Sequence, residues 1–480
     1  MVVLVVVAVF LSIMLAPVAQ GVPDPPPSDP CTASAGDPEP GTIEWQARDQ
    51  QNMWCANQRQ RDLMANRAHQ QAYVEELANW PEPTQLVPKP ANRPGFDPFR
   101  VPWSRWDGIR GRYLPGWFTL PDGARLHFEL FAPLGPCPSR CSPTPEGVRR
   151  LRPPYPGVTW MVGGLGQKQQ QWMLAQHLAE SGYMVLLFDP PGAGNSELSA
   201  AGGEDDEDLL AYRFALRQAL DFFFSTPDAP TPQGDVNPWN VLLDRRYVGV
   251  AGWSLGAISA NRVGQLDPRI STVVGWDSCE NIVPEWNWAG LLTGCESRPP
   301  AGIDSLGVPS LQLSADGYGL SGVPYPRVVP PDPHRLDGLH QKQRAQGVES
   351  MQVSLRAATH LDFGPYYVSG TCFCSRYGEM VSLYYTEAWF DYQLKGVTDP
   401  KVRKEAFRRL TATVFDDSAD EHSIGTGTYD PEVGNVPYRI AELPVADRLS
   451  FYFRSGYYLI PDGRTVHSCT DMRAGCAPTS

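Results

Sequence analysis

A serine between two glycines is the first feature of this sequence that could carry out chemistry. Residues 249–258 read GVAGWSLGAI, so Ser254 lies two residues from both Gly252 and Gly256. The apolar run YVGVAGW before it is typical of a buried strand, and a helical pattern begins at Leu255. A sharp strand-to-helix turn exposes a serine hydroxyl, and small neighbours leave room for such a turn. We therefore interpret Ser254 as a candidate nucleophile.

A serine hydroxyl is a weak nucleophile at neutral pH, so it needs a base and a group that orients the base. His360 is the candidate base, because it lies in LRAATHLDFG just after an apolar strand. The candidate acid is Asp316, which follows VPSLQLSA. Asp277 follows the previous strand, STVVGW, and is the alternative acid, whereas Asp362 is interpreted as a loop residue.

A transition state that develops negative charge on oxygen needs hydrogen-bond donors aimed at that oxygen. The backbone N–H of Leu255, directly after the candidate nucleophile, is one such donor. The stretch VTWMVGGLGQ offers a second, because its glycines let the chain pass close to a substrate. Phosphate binding is disfavoured there, because no Lys-Ser or Lys-Thr follows in P-loop register.

The elements that would position these residues alternate between strands and helices, which is typical of an α/β sheet. Two antiparallel strands are predicted in RYLPGWFTLPDGARLHFELFAP, around a turn at Pro121-Asp122-Gly123. Further strands are predicted in VTWMVGG, YMVLLFDPPG, RRYVGVAGWS, STVVGWD, VPSLQLSAD and ESMQVSLRAATH. Helices are predicted from Gln169 to Ser181, in DEDLLAYRFALRQALDFFFS, from Leu255 to Val263 and over 379–395.

This element order, with Ser254, Asp316 and His360 in that chain order, resembles the α/β-hydrolase superfamily over roughly residues 106–396. The resemblance implies a mostly parallel eight-stranded sheet flanked by helices, and a secreted esterase- or lipase-like serine hydrolase. By similarity to esterase patterns, Leu165 in the G-G-L-G stretch is the expected second oxyanion donor. The stretch DPPGAGNSE is similar to a structural turn of the superfamily, so Asp189 is not a catalytic candidate.

The expected reaction is hydrolysis of a carboxylic ester through an acyl-enzyme, on a small-molecule or polymeric substrate, with no metal or organic cofactor implied. A secreted peptidase or amidase of the same fold would use the same residues and is the nearest alternative. A non-catalytic binding relative is the alternative from another class. Candidates for the nucleophile, the base and the acid are all present, which argues against a non-catalytic relative.

Composition limits the partners and the compartment. The chain has 480 residues and a formal net charge of −13, which repels nucleic acid and anionic membrane surfaces.

The chain starts MVVLVVVAVFLSIMLAPVAQG, an apolar run followed by small residues, which is typical of a signal peptide although no basic residue precedes the run. An uncleaved anchor is the alternative, but the run is short for a span and Pro17 interrupts it. We expect residues 1–21 to be removed, leaving a secreted protein without a stable membrane span.

All ten cysteines follow this segment, which favours disulfides in an exported protein. The predicted pairs are Cys31/Cys55, Cys137/Cys141, Cys279/Cys295 and Cys469/Cys476. A zinc site is disfavoured, because paired C-x-x-C spacing is absent.

We expect a proline-rich linker and helical extension over 22–105, a catalytic domain over 106–400 and a small β-rich extension over 401–480. In that last extension, RLTATVF and DRLSFYFRSGYYLI are predicted to be strands.

Overall fold

The computed structural model describes most of the chain from residue 106 onwards. The described residues are 106–137, 142–145, 147–163, 168–193, 195–197, 199, 208–277, 306–317, 338–359, 363, 376–416, 429–430, 434–435, 441–442, 444–449 and 454–476. The predicted signal peptide, the extension over 22–105, Leu165 and His360 therefore lie outside the described residues.

Alternating strands and helices form an α/β architecture. The strands are β1 (Gly111–Thr119), β2 (Arg125–Pro133), β3 (Tyr155–Met161), β4 (Met184–Phe188), β5 (Leu243–Trp253), β6 (Thr272–Trp276), β7 (Ser310–Gly317), β8 (Ser350–Thr359), β9 (Tyr429–Asp430), β10 (Gly434–Asn435), β11 (Gly456–Leu459) and β12 (His467–Cys469). The α-helices are α1 (Trp172–Ser181), α2 (Asp208–Phe224), α3 (Leu255–Leu266), α4 (Gly338–Ala345), α5 (Arg376–Phe390) and α6 (Pro400–Leu410).

The main sheet is mostly parallel, as predicted. In the part of the chain that the structure describes, its strand order is β1-β2-β4-β3-β5-β6-β7-β8-β11-β12. Strands β1 and β2 form the predicted antiparallel hairpin, and β4, β3, β5, β6, β7 and β8 run parallel to one another. Parallel neighbours bring their carboxyl ends to one edge of the sheet, where α/β proteins bind their ligands.

Helices cover both faces of this sheet, because its central strands are apolar on both sides. Helix α1 contacts β2 and β4, and α5 packs beside it against β6 and β7. On the other face, α2 and α3 pack together, α3 against β5 and β6. The two faces accordingly carry two separate buried hydrophobic clusters, one containing Trp160, Trp276 and Trp389 and the other Phe118, Phe222 and Phe223.

The C-terminal part adds two strands to the eight that were predicted. Strand β11 pairs antiparallel with β8, and β12 pairs with β11, so within the described residues the sheet has ten strands. The prediction that RLTATVF is strand-like is wrong, because Arg409 and Leu410 end helix α6 with their side chains buried. Asp399 caps the start of that helix by accepting from the backbone N–H groups of Lys401 and Val402.

Ionic contacts hold the C-terminal strands to the body of the protein. Arg403 of α6 pairs with Glu349, which precedes β8, at 3.1 Å, and also donates to the carbonyl of Ile460 at 3.2 Å. The backbone N–H of Ile460 donates to Glu349 at 2.6 Å. One carboxylate therefore joins β8, α6 and the end of β11.

One of the predicted disulfides lies among the described residues. The predicted Cys469–Cys476 disulfide is confirmed, and Cys137 is disulfide-bonded. The pairs Cys31/Cys55 and Cys279/Cys295 lie outside the described residues. Among the helices that are described, none is long and apolar enough to cross a membrane.

One face of β7 and β8 is polar although it is buried. Its residues pair across the two strands as Ser310 with Ser350, Gln312 with Gln352, and Ser314 with Ser354. Helix α4 covers part of this face, and Nδ1 of His340 lies 2.8 Å from Oγ of Ser350. Burial, assisted by Arg344, lowers the pKa of His340 from 6.5 to about 4.

This burial should make folding sensitive to acid. Because the folded-state pKa of His340 lies below the unfolded value, the unfolded state takes up the proton first as the pH falls. We expect the free energy of unfolding to decrease by up to about 3 kcal/mol between about pH 6.5 and pH 4 from this group. Urea denaturation at both ends of that range, on wild type and His340→Gln, measures it. Equal losses in the two proteins would contradict the assignment.

Candidate active site

Ser254 lies in a strained turn between β5 and α3. Its backbone has φ 56° and ψ −123°, a conformation that costs free energy for any residue other than glycine. The serine is partly exposed, and its N–H donates to the carbonyl of Trp276 on the neighbouring strand at 2.9 Å. The predicted strand–serine–helix arrangement is confirmed. Strain of this kind needs surrounding structure that holds it in place.

Two glycines allow the close backbone contacts that hold this turn, and a third allows a close contact with the Cβ of Ser254. A Cβ on Gly252 would lie 2.4 Å from the carbonyl carbon of Gly256, and a Cβ on Gly256 would lie 2.2 Å from the carbonyl oxygen of Met161. At the end of β3, a Cβ on Gly163 would lie 3.0 Å from the Cβ of Ser254. The ends of β3 and β5 and the first turn of α3 are thus packed backbone against backbone. The prediction that Gly252 and Gly256 leave room for the turn is confirmed.

The start of α3 supplies the first expected oxyanion donor. Leu255 is the first residue of the helix, and the first four N–H groups of an α-helix have no acceptor within it. The positive end of the helix dipole lies at the same point. A developing negative charge beside Ser254 would therefore meet a backbone donor and a favourable field. The structure is compatible with the role predicted for Leu255.

Asp277 lies next to the candidate nucleophile in the sheet. Trp253 and Trp276 are paired across β5 and β6, so Ser254 and Asp277 are the residues that follow this pair on adjacent strands. Asp277 is only 4% exposed and also has a positive φ, 43°. Its N–H donates to the carbonyl of Leu313 on β7 at 2.6 Å. Its position keeps Asp277 a candidate for the acid.

Asp316 lies at an irregularity between β7 and β8. Regular pairing runs to Ala315, and the next paired residue is Gly317, opposite Thr359. Such irregularities often occur beside active sites. Thr359 directly precedes His360. The backbone therefore brings the residues beside Asp316 and His360 into register at the carboxyl ends of neighbouring strands.

The structure describes Thr359 and Phe363, on either side of His360. Thr359 is at the end of β8, two strands away from β6. Phe363 is buried, and its ring lies 6.3 Å from that of Trp276 at the end of β6.

A buried charged group beyond the end of β4 was not expected from the sequence. Lys168 pairs with Asp189 at 2.5 Å, and the side chains of both residues are fully buried. Nearby, Glu129 accepts hydrogen bonds from the indole N–H of Trp172 and from the hydroxyl of Tyr113. Burial raises the pKa of Glu129, although the positive charge of Lys168 opposes this. The signal in the sequence was a glutamate inside the apolar strand LHFELFAP, because a charge there needs a buried partner.

Asp189 has the structural role predicted for its turn. Its carboxylate accepts from the backbone N–H groups of Lys168 and Asn195, each at 2.8 Å. Ser196 donates to the carbonyl of Asp189 at 2.8 Å and accepts from the N–H of His127 at 2.9 Å. These bonds tie the stretch DPPGAGNSE to β2 and to the segment before α1.

Chemically, this edge carries a serine hydroxyl, a helix N-terminus and, on the neighbouring strand, Asp277. Over the described residues, no group of three or more histidine, cysteine, aspartate or glutamate side chains is arranged to hold a metal ion. The arrangement of the described residues is compatible with covalent catalysis by serine.

Comparison with known proteins adds little. No model of a known protein family matches the chain, and no curated protein matches it. Among solved structures, the ferulic acid esterase from Streptomyces cinnamoneus matches with 18% identity and a TM-score of 0.41, over 60% of this chain and 90% of that one. A likeness at this level carries no functional argument, so the function is inferred from the geometry of the site.

The contacts at Gly256 can be tested by adding one methyl group. In Gly256→Ala the new Cβ would overlap the carbonyl oxygens of Met161 and Val162, so we expect a loss of about 2–3 kcal/mol or more in unfolding free energy. Gly307→Ala is the matched control, because Gly307 is exposed and has no atom within 4 Å of an added Cβ. Its effect should stay within about 0.5 kcal/mol. Chemical denaturation measures both, and equal effects would show that the turn is not tightly packed.

Proposed function

We propose that this protein is a serine hydrolase that cleaves carboxylic esters through an acyl-enzyme. The observation that carries the proposal is the strained backbone of Ser254, at φ 56°, between a buried strand and the start of a helix. Strained non-glycine residues cluster at functional sites, and a serine in such a turn presents its hydroxyl to a substrate. The order of the first eight strands of the sheet supports membership of the α/β-hydrolase superfamily as part of the proposal.

In the proposed mechanism His360 accepts the proton of Ser254 as the serine oxygen attacks the ester carbonyl carbon. The N–H groups of Leu255 and Leu165 stabilise the oxyanion of the tetrahedral intermediate. His360 then gives the proton to the leaving alcohol, and an acyl-enzyme forms on Ser254. Water, deprotonated by His360, attacks the acyl carbonyl, and the collapse of the second intermediate releases the acid and restores the serine.

Asp316 is the proposed acid that orients His360 and stabilises its protonated form. The backbone register of β7 and β8 supports this choice, because Gly317 pairs with Thr359, the residue before His360. Asp277 is the alternative. It lies one strand from Ser254, whereas Asp316 lies two strands away, and neighbouring strands are about 4.8 Å apart. An imidazole ring has to fit between the serine and the carboxylate. The larger separation therefore favours Asp316.

We assign the catalytic domain to residues 106–400 and the extension to 401–480, with secretion after removal of residues 1–21. The Cys469–Cys476 disulfide supports an oxidising compartment. The acidic net charge of −13 supports a substrate other than nucleic acid.

Replacing the candidate nucleophile tests the proposal directly. We expect Ser254→Ala to lower kcat on p-nitrophenyl acetate by a factor of about 10⁴ or more, because no acyl-enzyme can form. Ser259→Ala is the matched control: Ser259 lies one turn further along α3, is buried, and its hydroxyl has no hydrogen-bond partner among the described residues. Its activity should remain within about twofold of wild type. Unchanged turnover by Ser254→Ala would refute the proposal, and a preference for aminoacyl anilides over esters would indicate a peptidase.

Two isosteric variants distinguish the candidate acids. Asp316→Asn should lower kcat by about 10⁴, because the amide favours the wrong imidazole tautomer. We expect Asp277→Asn to retain activity within about tenfold of wild type. Steady-state kinetics on one ester, with circular dichroism to confirm folding, makes the comparison. The reverse order of effects would move the assignment to Asp277.

A further inference from the structure

Strands β5 and β6 are each followed by a residue with the same unusual backbone conformation. Among the described residues, those other than glycine that have a positive φ are Ser254 at 56°, Asp277 at 43° and Glu442 at 67°. Ser254 and Asp277 directly follow Trp253 and Trp276, which are paired across the two strands. A positive φ costs an L-residue free energy, because its Cβ comes close to the following carbonyl oxygen. Two such residues side by side in one sheet indicate a constraint that both of them serve.

One peptide unit connects these two residues. The carbonyl of Trp276 and the N–H of Asp277 belong to the same planar group. Its oxygen accepts from the N–H of Ser254 at 2.9 Å, and its N–H donates to the carbonyl of Leu313 at 2.6 Å. A single planar group therefore joins the ends of β5, β6 and β7. Because the group is planar, a rotation that weakens one of these hydrogen bonds tilts the other as well.

The side chain of Trp276 fixes one side of this peptide unit. Trp276 is 1% exposed, and its indole N–H donates to the hydroxyl of Thr386 on α5 at 2.8 Å. Its ring meets that of Trp160 edge to face, with 4.6 Å between the ring centroids. The orientation of the unit then depends on φ of Asp277, the rotation on its other side. Aspartate is one of the few side chains that tolerate a positive φ, so the residue type at this position fits the conformation.

We propose that Asp277 is a positioning residue for ester hydrolysis: its positive φ orients the Trp276 carbonyl, which holds the N–H of Ser254 and with it the strained conformation of the nucleophile. This inference rests on the proposed function. It assigns Asp277 no contact with substrate, and it uses the backbone of Asp277 and not its carboxylate. Loss of the conformation should lower kcat much more than it changes KM, because a displaced nucleophile slows the chemical step.

The test compares Asp277→Val with Asp277→Gly in the full chain. Both variants lack the carboxylate, but glycine adopts a positive φ freely, whereas a β-branched residue is strained there. Asp277→Ala, in which the added side chain is smaller, is measured beside them so that a folded variant without glycine is available. The matched control is Glu442→Val, because Glu442 has the same type of φ, is exposed, and its N–H donates to the carbonyl of Phe415 at 2.7 Å, in the C-terminal extension.

Two measurements are made on each variant. The first is steady-state kinetics on p-nitrophenyl acetate. The second is hydrogen exchange of the Ser254 amide, read from overlapping peptides within residues 249–258, which reports whether its hydrogen bond to Trp276 is kept. The exchange measurement does not depend on any activity.

We expect kcat of Asp277→Val to be about 10- to 100-fold below that of Asp277→Gly, with KM within about twofold. Exchange of the Ser254 amide should be about tenfold or more faster in Asp277→Val than in Asp277→Gly, and Asp277→Ala should lie between them in both measurements. Glu442→Val should keep wild-type kcat and wild-type exchange at Ser254, although its stability falls.

Equal kcat in Asp277→Gly and in the folded alanine or valine variant would overturn the proposal, because the carboxylate and not the backbone would then matter. A loss of kcat in Glu442→Val as large as that in Asp277→Val would overturn it as well. If the wild type does not hydrolyse esters, the proposed function fails, and the exchange data alone decide. Faster exchange at Ser254 in Asp277→Val than in Asp277→Gly then supports the positioning role, and equal rates reject it.

Discussion

The packing of backbone against backbone at the ends of β3 and β5 is the constraint on which the rest of this site depends. The turn that gives Ser254 its positive φ fits here because Gly252 and Gly256 admit neighbouring backbone atoms, and Gly163 admits the Cβ of Ser254, where a side chain would stand. Strain in the turn is thereby balanced by packing that continues into two hydrophobic clusters, one on each face of the sheet. The serine conformation is thus a property of the sheet and its helices together.

The parallel sheet places the residues of the candidate site along one of its edges. Ser254 and Asp277 follow paired tryptophans on adjacent strands, and Gly317 is in register with Thr359. Each position is set by the register of strands whose side chains are buried on both faces, and such register resists slippage. Residues that are distant in sequence are therefore brought close by the strand register and not by a flexible loop.

Much of the architecture could be predicted from the sequence, because buried parallel strands appear as continuous apolar runs and the helices between them as amphipathic repeats. The hairpin, the central strands and the helix at Leu255 follow this rule. Strand β11 has only four residues and is stabilised by its neighbours β8 and β12, so its place in the sheet could not be read locally. The same holds for the site: glycine spacing predicted the turn at Ser254, whereas the burial of Lys168 depends on Glu129 in β2 and on Asp189 after β4, which are distant in sequence.

The C-terminal strands have a consequence for how the molecule reaches its native state. Strand β8, which ends one residue before His360, is an interior strand because β11 pairs with it from Gly456 to Tyr458. These partners are far apart in sequence, and long-range pairing of this kind forms slowly, because a large loop must close first. Until it forms, β8 presents an open strand edge, to which other chains can add. The final strands thus cover an edge that would otherwise be open to pairing with another chain.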